Sequence, residues 1–85
     1  MNTDIKDSQK EYYECLERNE EIEFDFNGKH YSIQPENDGY GIWIEQEGKV
    51  EYFKTISEVL NNKYLDGMSF LEAEAKQLLK NTILF

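Results

Sequence analysis

Eighty-five residues are enough for one hydrophobic core and too few for two, and 39% hydrophobic residues, with six Tyr, five Phe and one Trp, supply the large apolar groups that disordered acidic chains lack. The 9 Lys and Arg against 18 Asp and Glu give a formal charge of -9, which repels phosphate backbones and anionic membranes, so no direct nucleic-acid or membrane partner is expected. Cys15 is the sole cysteine, which excludes an intramolecular disulfide and a cysteine-rich metal site and suits a reducing cytoplasm.

The N-terminus is polar and acidic from Asn2 onward, and no stretch approaches the ~20 apolar residues that span a bilayer. A single cytoplasmic domain over residues 1–85, neither secreted nor membrane-embedded, is therefore expected. The charge is uneven. Residues 1–27 hold nine acids against Lys6, Lys10 and Arg18, a net of -6, while the other 58 residues carry -3.

From Asp4 to Arg18 the apolar Ile5, Tyr12, Cys15 and Leu16 fall on one helical stripe, with Asp7, Lys10, Glu11, Glu14, Glu17 and Arg18 opposite. This predicts an amphipathic helix capped either by Asp4 or by a Ser8 and Glu11 capping box. Strict alternation follows in Glu21-Ile22-Glu23-Phe24-Asp25-Phe26, then Asn27-Gly28, then Lys29-His30-Tyr31-Ser32-Ile33-Gln34. Asn-Gly between two alternating runs predicts a two-residue hairpin turn, because both central residues take positive φ. That turn pairs Ile22 with Ile33 and Phe24 with Tyr31 on one face, and Asp25 with His30 on the other.

After a break from Pro35 to Gly39, Tyr40, Ile42 and Ile44 begin a third strand. A three-residue loop, Gln46-Glu47-Gly48, would return it into Val50 and Tyr52, pairing Ile44 with Val50, Ile42 with Tyr52 and Glu45 with Lys49. Thr55 with Glu58 and Ser69 with Glu72 have capping-box spacing and predict a short helix near Ile56 to Asn61 and a longer one near Phe70 to Lys80. In the longer one Leu71, Ala75, Leu78 and Leu79 form the apolar stripe. Between them Asp66-Gly67 reads as a turn, with Tyr64 and Leu65 anchoring the connection. The expected fold class is α+β: an N-terminal helix, a four-stranded antiparallel meander and two C-terminal helices, with Thr82-Ile83-Leu84-Phe85 docking in the core or meeting a partner.

Chemistry is sparse. His30 is the one histidine, and Asp25 is its expected neighbour, but acid-base catalysis by this pair needs a nucleophile or a second titrating group close by. Cys15 lies on the buried stripe beside Leu16, where free cysteines act as small core residues. Gln34 to Glu45 places Glu36, Asp38, Gly39 and Glu45 at positions 3, 5, 6 and 12 of a calcium loop; uncharged Gln34 at position 1 and strand-like flanks argue against it. Gly39-x-Gly41 lacks the third glycine of a dinucleotide fingerprint. No cofactor or metal is expected.

Two features remain as binding candidates. Trp43 falls on the strand face opposite Tyr40, Ile42 and Ile44 and is either an exposed anchor or covered by packing, depending on which sheet face the helices cover. Glu14, Glu17, Glu20, Glu21, Glu23 and Asp25 form an acidic array that attracts the same Arg and Lys side chains as spaced phosphates, although such runs are commonly only solvated faces.

The run Phe26-Asn27-Gly28-Lys29-His30-Tyr31-Ser32-Ile33, the later Gly39-Tyr40, and Leu65-Asp66-Gly67-Met68-Ser69-Phe70 with Glu72 resemble a group of small proteins of Gram-positive bacteria and their phages. The resemblance covers roughly residues 22–75 and implies a hairpin, an Asp-Gly turn and a capped helix, with no activity or site residue attached. Charge, size and the lack of a reactive cluster lead to an expected function: a non-enzymatic inhibitor from a phage or mobile element that blocks a basic nucleic-acid-handling protein by charge mimicry, in the general manner of anti-CRISPR and antirestriction proteins. The alternatives are an immunity protein neutralising a toxin through aromatic anchors, and a small enzyme using Asp25 and His30.

Overall fold

In the computed structural model, which describes residues 9–85, the first hairpin forms as its alternation dictates: β1 (Ile22–Phe26) and β2 (Lys29–Glu36) turn through Asn27 at φ 53° and Gly28 at φ 81°. Ile22 faces Ile33, Phe24 faces Tyr31 and Asp25 faces His30. Every second residue of β1 is buried, so Ile22, Phe24 and Phe26 supply one wall of the core. The Phe24 ring stacks on Tyr31 with centroids 5.1 Å apart and meets the edge of Phe70 at 5.2 Å, and Phe70 in turn meets Tyr12 at 5.0 Å.

The second hairpin joins β3 (Gly39–Ile44) to β4 (Lys49–Phe53), one residue out of the expected register. Ile44 pairs with Lys49, Trp43 with Val50, Ile42 with Glu51 and Tyr40 with Phe53. The connection is not the three-residue loop read from the sequence, because Glu45–Glu47 wind into a 3₁₀ turn closed by Gly48 at φ 63°. Gln46 and Glu47 pin that turn to the start of β2: the Gln46 side-chain oxygen accepts the His30 backbone N–H at 3.0 Å, and Glu47 pairs with Lys29. A slip of one residue exchanges the faces of an entire strand. Phe53 therefore packs toward the core, beside Tyr64 with ring centroids 5.9 Å apart, while Val50 and Tyr52 join Trp43 on the other face. Gly39 is required at the base of this hairpin: its φ is +151°, and a Cβ there would lie 2.2 Å from the Phe53 carbonyl oxygen.

The helices form as capping and stripe demand, with one exception. In α1 (Lys10–Glu17), Tyr12, Cys15 and Leu16 are buried. Both proposed caps, at Asp4 and Ser8, and the stripe residue Ile5 lie outside the described residues. Gln9 occupies the N-cap position without a side-chain cap bond; its amide donates instead to the Leu71 carbonyl at 3.1 Å and to the Glu74 carboxylate at 2.9 Å. α2 (Ile56–Asn61) carries the full Thr55 and Glu58 capping box, and α3 (Phe70–Ala75) that of Ser69 and Glu72. Between them Asp66-Gly67 turns with φ of 52° and 85°, bridged by Leu65 and Met68.

The expected helix to Lys80 ends at Ala75. Gln77 adopts φ 60° and the Leu78 N–H bonds the Ala73 carbonyl at 2.9 Å, a left-handed helix terminator. Ala75 and Leu78 are exposed, not part of a buried stripe. Lys80–Leu84 then runs as β5 antiparallel to β1, with Leu84 opposite Ile22 and Ile83 opposite Glu23. The sheet is thus five-stranded in the order β4-β3-β2-β1-β5, one strand more than the expected meander, within the expected α+β class. The physical reason is that β1 is fully buried on its core face and its second edge would otherwise leave N–H and C=O groups unpaired beside the core.

All core residues contributed by β1, β2 and β3 lie on the helix side of the sheet, and none of the described helices packs on the other side. No described helix is long and apolar enough to cross a membrane.

Among the described residues five non-glycines have positive φ, and Gln77 is the one of these that is neither Asn nor Asp, the types that tolerate this conformation. Gln77→Gly is expected to raise stability by about 1 kcal/mol, read as a higher urea midpoint at unchanged slope.

Candidate functional site

Cross-strand pairing gathers the non-core side chains onto one open face: Glu23 and Asp25 of β1, His30, Ser32 and Gln34 of β2, Trp43 of β3, and Val50 and Tyr52 of β4. Its charged half centres on His30. The ring Nδ1 lies 2.7 Å from Asp25 Oδ1 and Nε2 lies 3.2 Å from Glu23 Oε1. Asp25 Oδ2 also accepts the Asn81 side-chain amide at 2.8 Å. Asn81 reaches it from an irregularity in the β1–β5 ladder, where its own φ is 54°.

The hydrogen bond to Asp25 is the main reason the His30 pKa stands above its ordinary value of 6.5, with Glu23 adding to it. The Asn81 amide, then His30, hold the Asp25 carboxyl below its usual value of 3.8. When protonated, His30 can donate from both ring nitrogens, one to each carboxylate. The Ser32 hydroxyl accepts from the Gln34 amide at 3.0 Å and does not meet the ring. The cluster is one imidazole ring held between two carboxylates, an arrangement that favours the protonated ring.

The other half of the face is aromatic. The indole of Trp43 lies back over Gly41, where an added Cβ would stand 3.3 Å from Nε1, so the glycine makes room for the ring. Its Nε1 is buried without a hydrogen-bond partner. Beyond Val50, Tyr52 is 63% exposed. Trp43 with Glu23, His30, Ser32, Gln34 and Glu45 lines a depression of about 390 Å³. The helices leave this face bare, so Trp43 is a half-buried surface residue and not a core residue.

The acidic array read from the sequence is divided between surfaces. Glu14 and Glu17 are exposed on α1, in the helix layer. Glu20 takes an ion pair from Arg18 at 3.1 Å, and Glu21 sits at the head of β1, where its carbonyl receives the Phe85 N–H at 2.9 Å. Glu23 and Asp25 lie on the opposite side of the sheet, tied to His30. Alternation along β1 alone sends Glu23 and Asp25 away from the helix layer. Cys15 is fully buried, its thiol pKa pushed up chiefly by desolvation, with Sγ near the Glu21 and Phe85 carbonyls at 3.5 and 3.8 Å.

The Gln34 to Glu45 segment, whose sequence argues against a calcium loop, is a tight strand turn followed by β3. Glu36 pairs with Gly39 in the ladder, and Glu45 lies at the far end of β3. Among the described residues no three His, Cys, Asp or Glu side chains are arranged to hold a metal ion.

Glu23 and Asp25 were legible from the alternation of β1. Sequence reasoning missed Val50 and Tyr52 on this face, hidden by the register slip, and the Asn81 contact to Asp25, made from a strand irregularity that carries no sequence signal.

The sign of the pH dependence follows from the two shifts. The raised pKa of His30 contributes stability that is complete below 6.5 and is lost as pH rises through the folded value; the lowered pKa of Asp25 contributes above 3.8 and is lost as pH falls through its folded value. Proton NMR of the His30 ring is expected to show a midpoint above 6.5. Asn81→Ala is expected to return the Asp25 midpoint toward its ordinary value while leaving His30 shifted upward. Comparison with protein-family models, curated proteins and solved structures found no significant match to this chain.

Proposed function

We propose that this protein is a non-enzymatic binding module whose open sheet face seats a basic surface of another protein, in its most concrete form a phage or mobile-element inhibitor that occupies the nucleic-acid-binding surface of its target. The observation that carries this reading is a sheet face free of helices on which Trp43 stands beside Glu23 and Glu45, with the exposed Tyr52 farther along the same face. Carboxylates next to an indole suit an incoming Arg, whose guanidinium stacks on aromatic faces while donating to carboxylate oxygens. The charge of -9 adds long-range attraction toward a basic partner and repulsion from nucleic acid itself.

The division of the acids between two surfaces places the emphasis on the open face and away from a continuous stripe through Glu14 and Glu17. An immunity protein that neutralises a toxin is the second reading, favoured by the Trp43, Val50 and Tyr52 patch, because an interface centred on aromatics is less sensitive to salt.

The test is affinity capture from host lysate with wild-type protein, Trp43→Ala, Glu45→Lys and the double variant Glu14→Lys, Glu17→Lys. The expected partner is a basic nucleic-acid-binding protein that duplex DNA displaces and that moderate salt releases. Trp43→Ala is expected to weaken its affinity at least about 10-fold, Glu45→Lys to weaken it and reduce its salt dependence, and the α1 variant to act mainly through association rate. Unchanged affinity in both Trp43→Ala and Glu45→Lys overturns the assignment of this face. Retention at about 1 M salt, where charges are screened within roughly 3 Å, with no displacement by DNA, selects the immunity reading.

A further inference from the structure

The core side of the sheet is incompletely covered at one corner. The helix layer and the segment carrying Tyr64 reach β4 at Phe53, but toward the other end of the strand Ile42 and Ile44 face a cavity of about 200 Å³, with Tyr31 and Tyr64 on its walls and Lys49 and Glu51 beside them. The cavity opens on the helix side of the sheet, to which Ile42, Ile44 and Tyr31 project, and Val50 at the sheet edge borders it as well.

Its polar feature is the Tyr64 hydroxyl. That oxygen is buried and has no hydrogen-bond partner. Burial pushes its pKa far up, and Tyr31 and Glu51, both of which line the cavity, are the charged or titratable groups that act on it. Buried hydroxyls are ordinarily bonded, and leaving one unpaired costs about 1–3 kcal/mol. Tyr64 lines the cavity, its ring rests on Phe53 and its hydroxyl has no partner within the chain, so an acceptor brought beside it would satisfy a donor that the fold leaves unpaired.

The cavity's size and lining narrow what that is. An apolar cavity of about 150 Å³ in another protein stays dry and accepts benzene, so this one has room for a substituted single ring. Lys49 and Glu51 are of opposite charge, and their balance gives no net attraction for an ion. The geometry points to a binding site for a small, neutral, single-ring aromatic molecule bearing one hydrogen-bond acceptor, with Ile42 and Ile44 against the ring and the Tyr64 hydroxyl donating to the acceptor. The assignment does not depend on the function proposed for the open face.

Acetophenone and isopropylbenzene test this as a pair, since they match in size and only the first carries an acceptor. Titrations are followed by the methyl NMR signals of Ile42 and Ile44 in wild type, Tyr64→Phe and Ile44→Phe. Both probes are expected to shift these methyls in the wild type. Tyr64→Phe is expected to weaken acetophenone about 5-fold, the equivalent of one net hydrogen bond of about 1 kcal/mol, and to leave isopropylbenzene within about 2-fold. Ile44→Phe fills the space from the sheet side and is expected to abolish both responses. Absence of any shift at Ile42 and Ile44 in the wild type overturns the site. Equal effects of Tyr64→Phe on the two probes, or none on either, overturn the role of the hydroxyl and leave water as its partner. Tyr64→Phe removes an unpaired group and is expected to remain folded, and Ile44→Phe gives an independent readout of the cavity from its other wall.

Discussion

The structure depends on the burial of β1 against the aromatic chain that starts at Phe24. That ring lies nearly parallel to Tyr31, 4° between planes, and receives the edge of Phe70, which receives Tyr12. One contact series therefore ties the first hairpin to α3 and α3 to α1, linking residues far apart in the chain. Fully buried Ile22, Phe24, Leu16, Val59, Leu60, Leu65 and Phe70 close around it. Truncating a ring at such a place costs about 3–5 kcal/mol, a large part of what a domain this small has available.

Because β1 is the hub, its two edges are both occupied, by β2 and by β5. The C-terminal segment is drawn in as the last strand, with Leu84 opposite Ile22 and the Phe85 N–H on the Glu21 carbonyl. The free edges of the sheet become β4 and β5, and the exposed Ile83 and Phe85 are the consequence of using an apolar tail as an edge strand.

The same alternation that fills the core furnishes the opposite face. Glu23 and Asp25 of β1, His30, Ser32 and Gln34 of β2 and Trp43 of β3 have no helix above them, so their side chains are free to be charged or aromatic without cost to the core. When protonated, His30 between Asp25 and Glu23 lowers the repulsion that two carboxylates on adjacent positions of one face would otherwise suffer. What remains is an acidic rim, a half-buried indole and an exposed Tyr52.

The sequence by itself determined the features that rest on local physics: the Asn27-Gly28 turn and the register it imposes, the capping boxes of Thr55 and Ser69, the Asp66-Gly67 turn, and the buried stripe of α1. Each needs only a few neighbouring residues to make its hydrogen bonds or to satisfy a positive φ. Tertiary structure decided what those rules leave degenerate. In place of the three-residue loop read after Ile44, a four-residue connection forms, with the side chains of Gln46 and Glu47 bonded across to β2, and it sends Tyr52 outward and Phe53 inward. The stretch after Ala75 has helical spacing and strand-forming residues alike, and the vacant edge of β1 chose strand, with Gln77 accepting a left-handed backbone to make the reversal. Residue spacing reports what a segment can form; the unpaired backbone groups and unfilled volume of the rest of the fold determine which of those forms it takes.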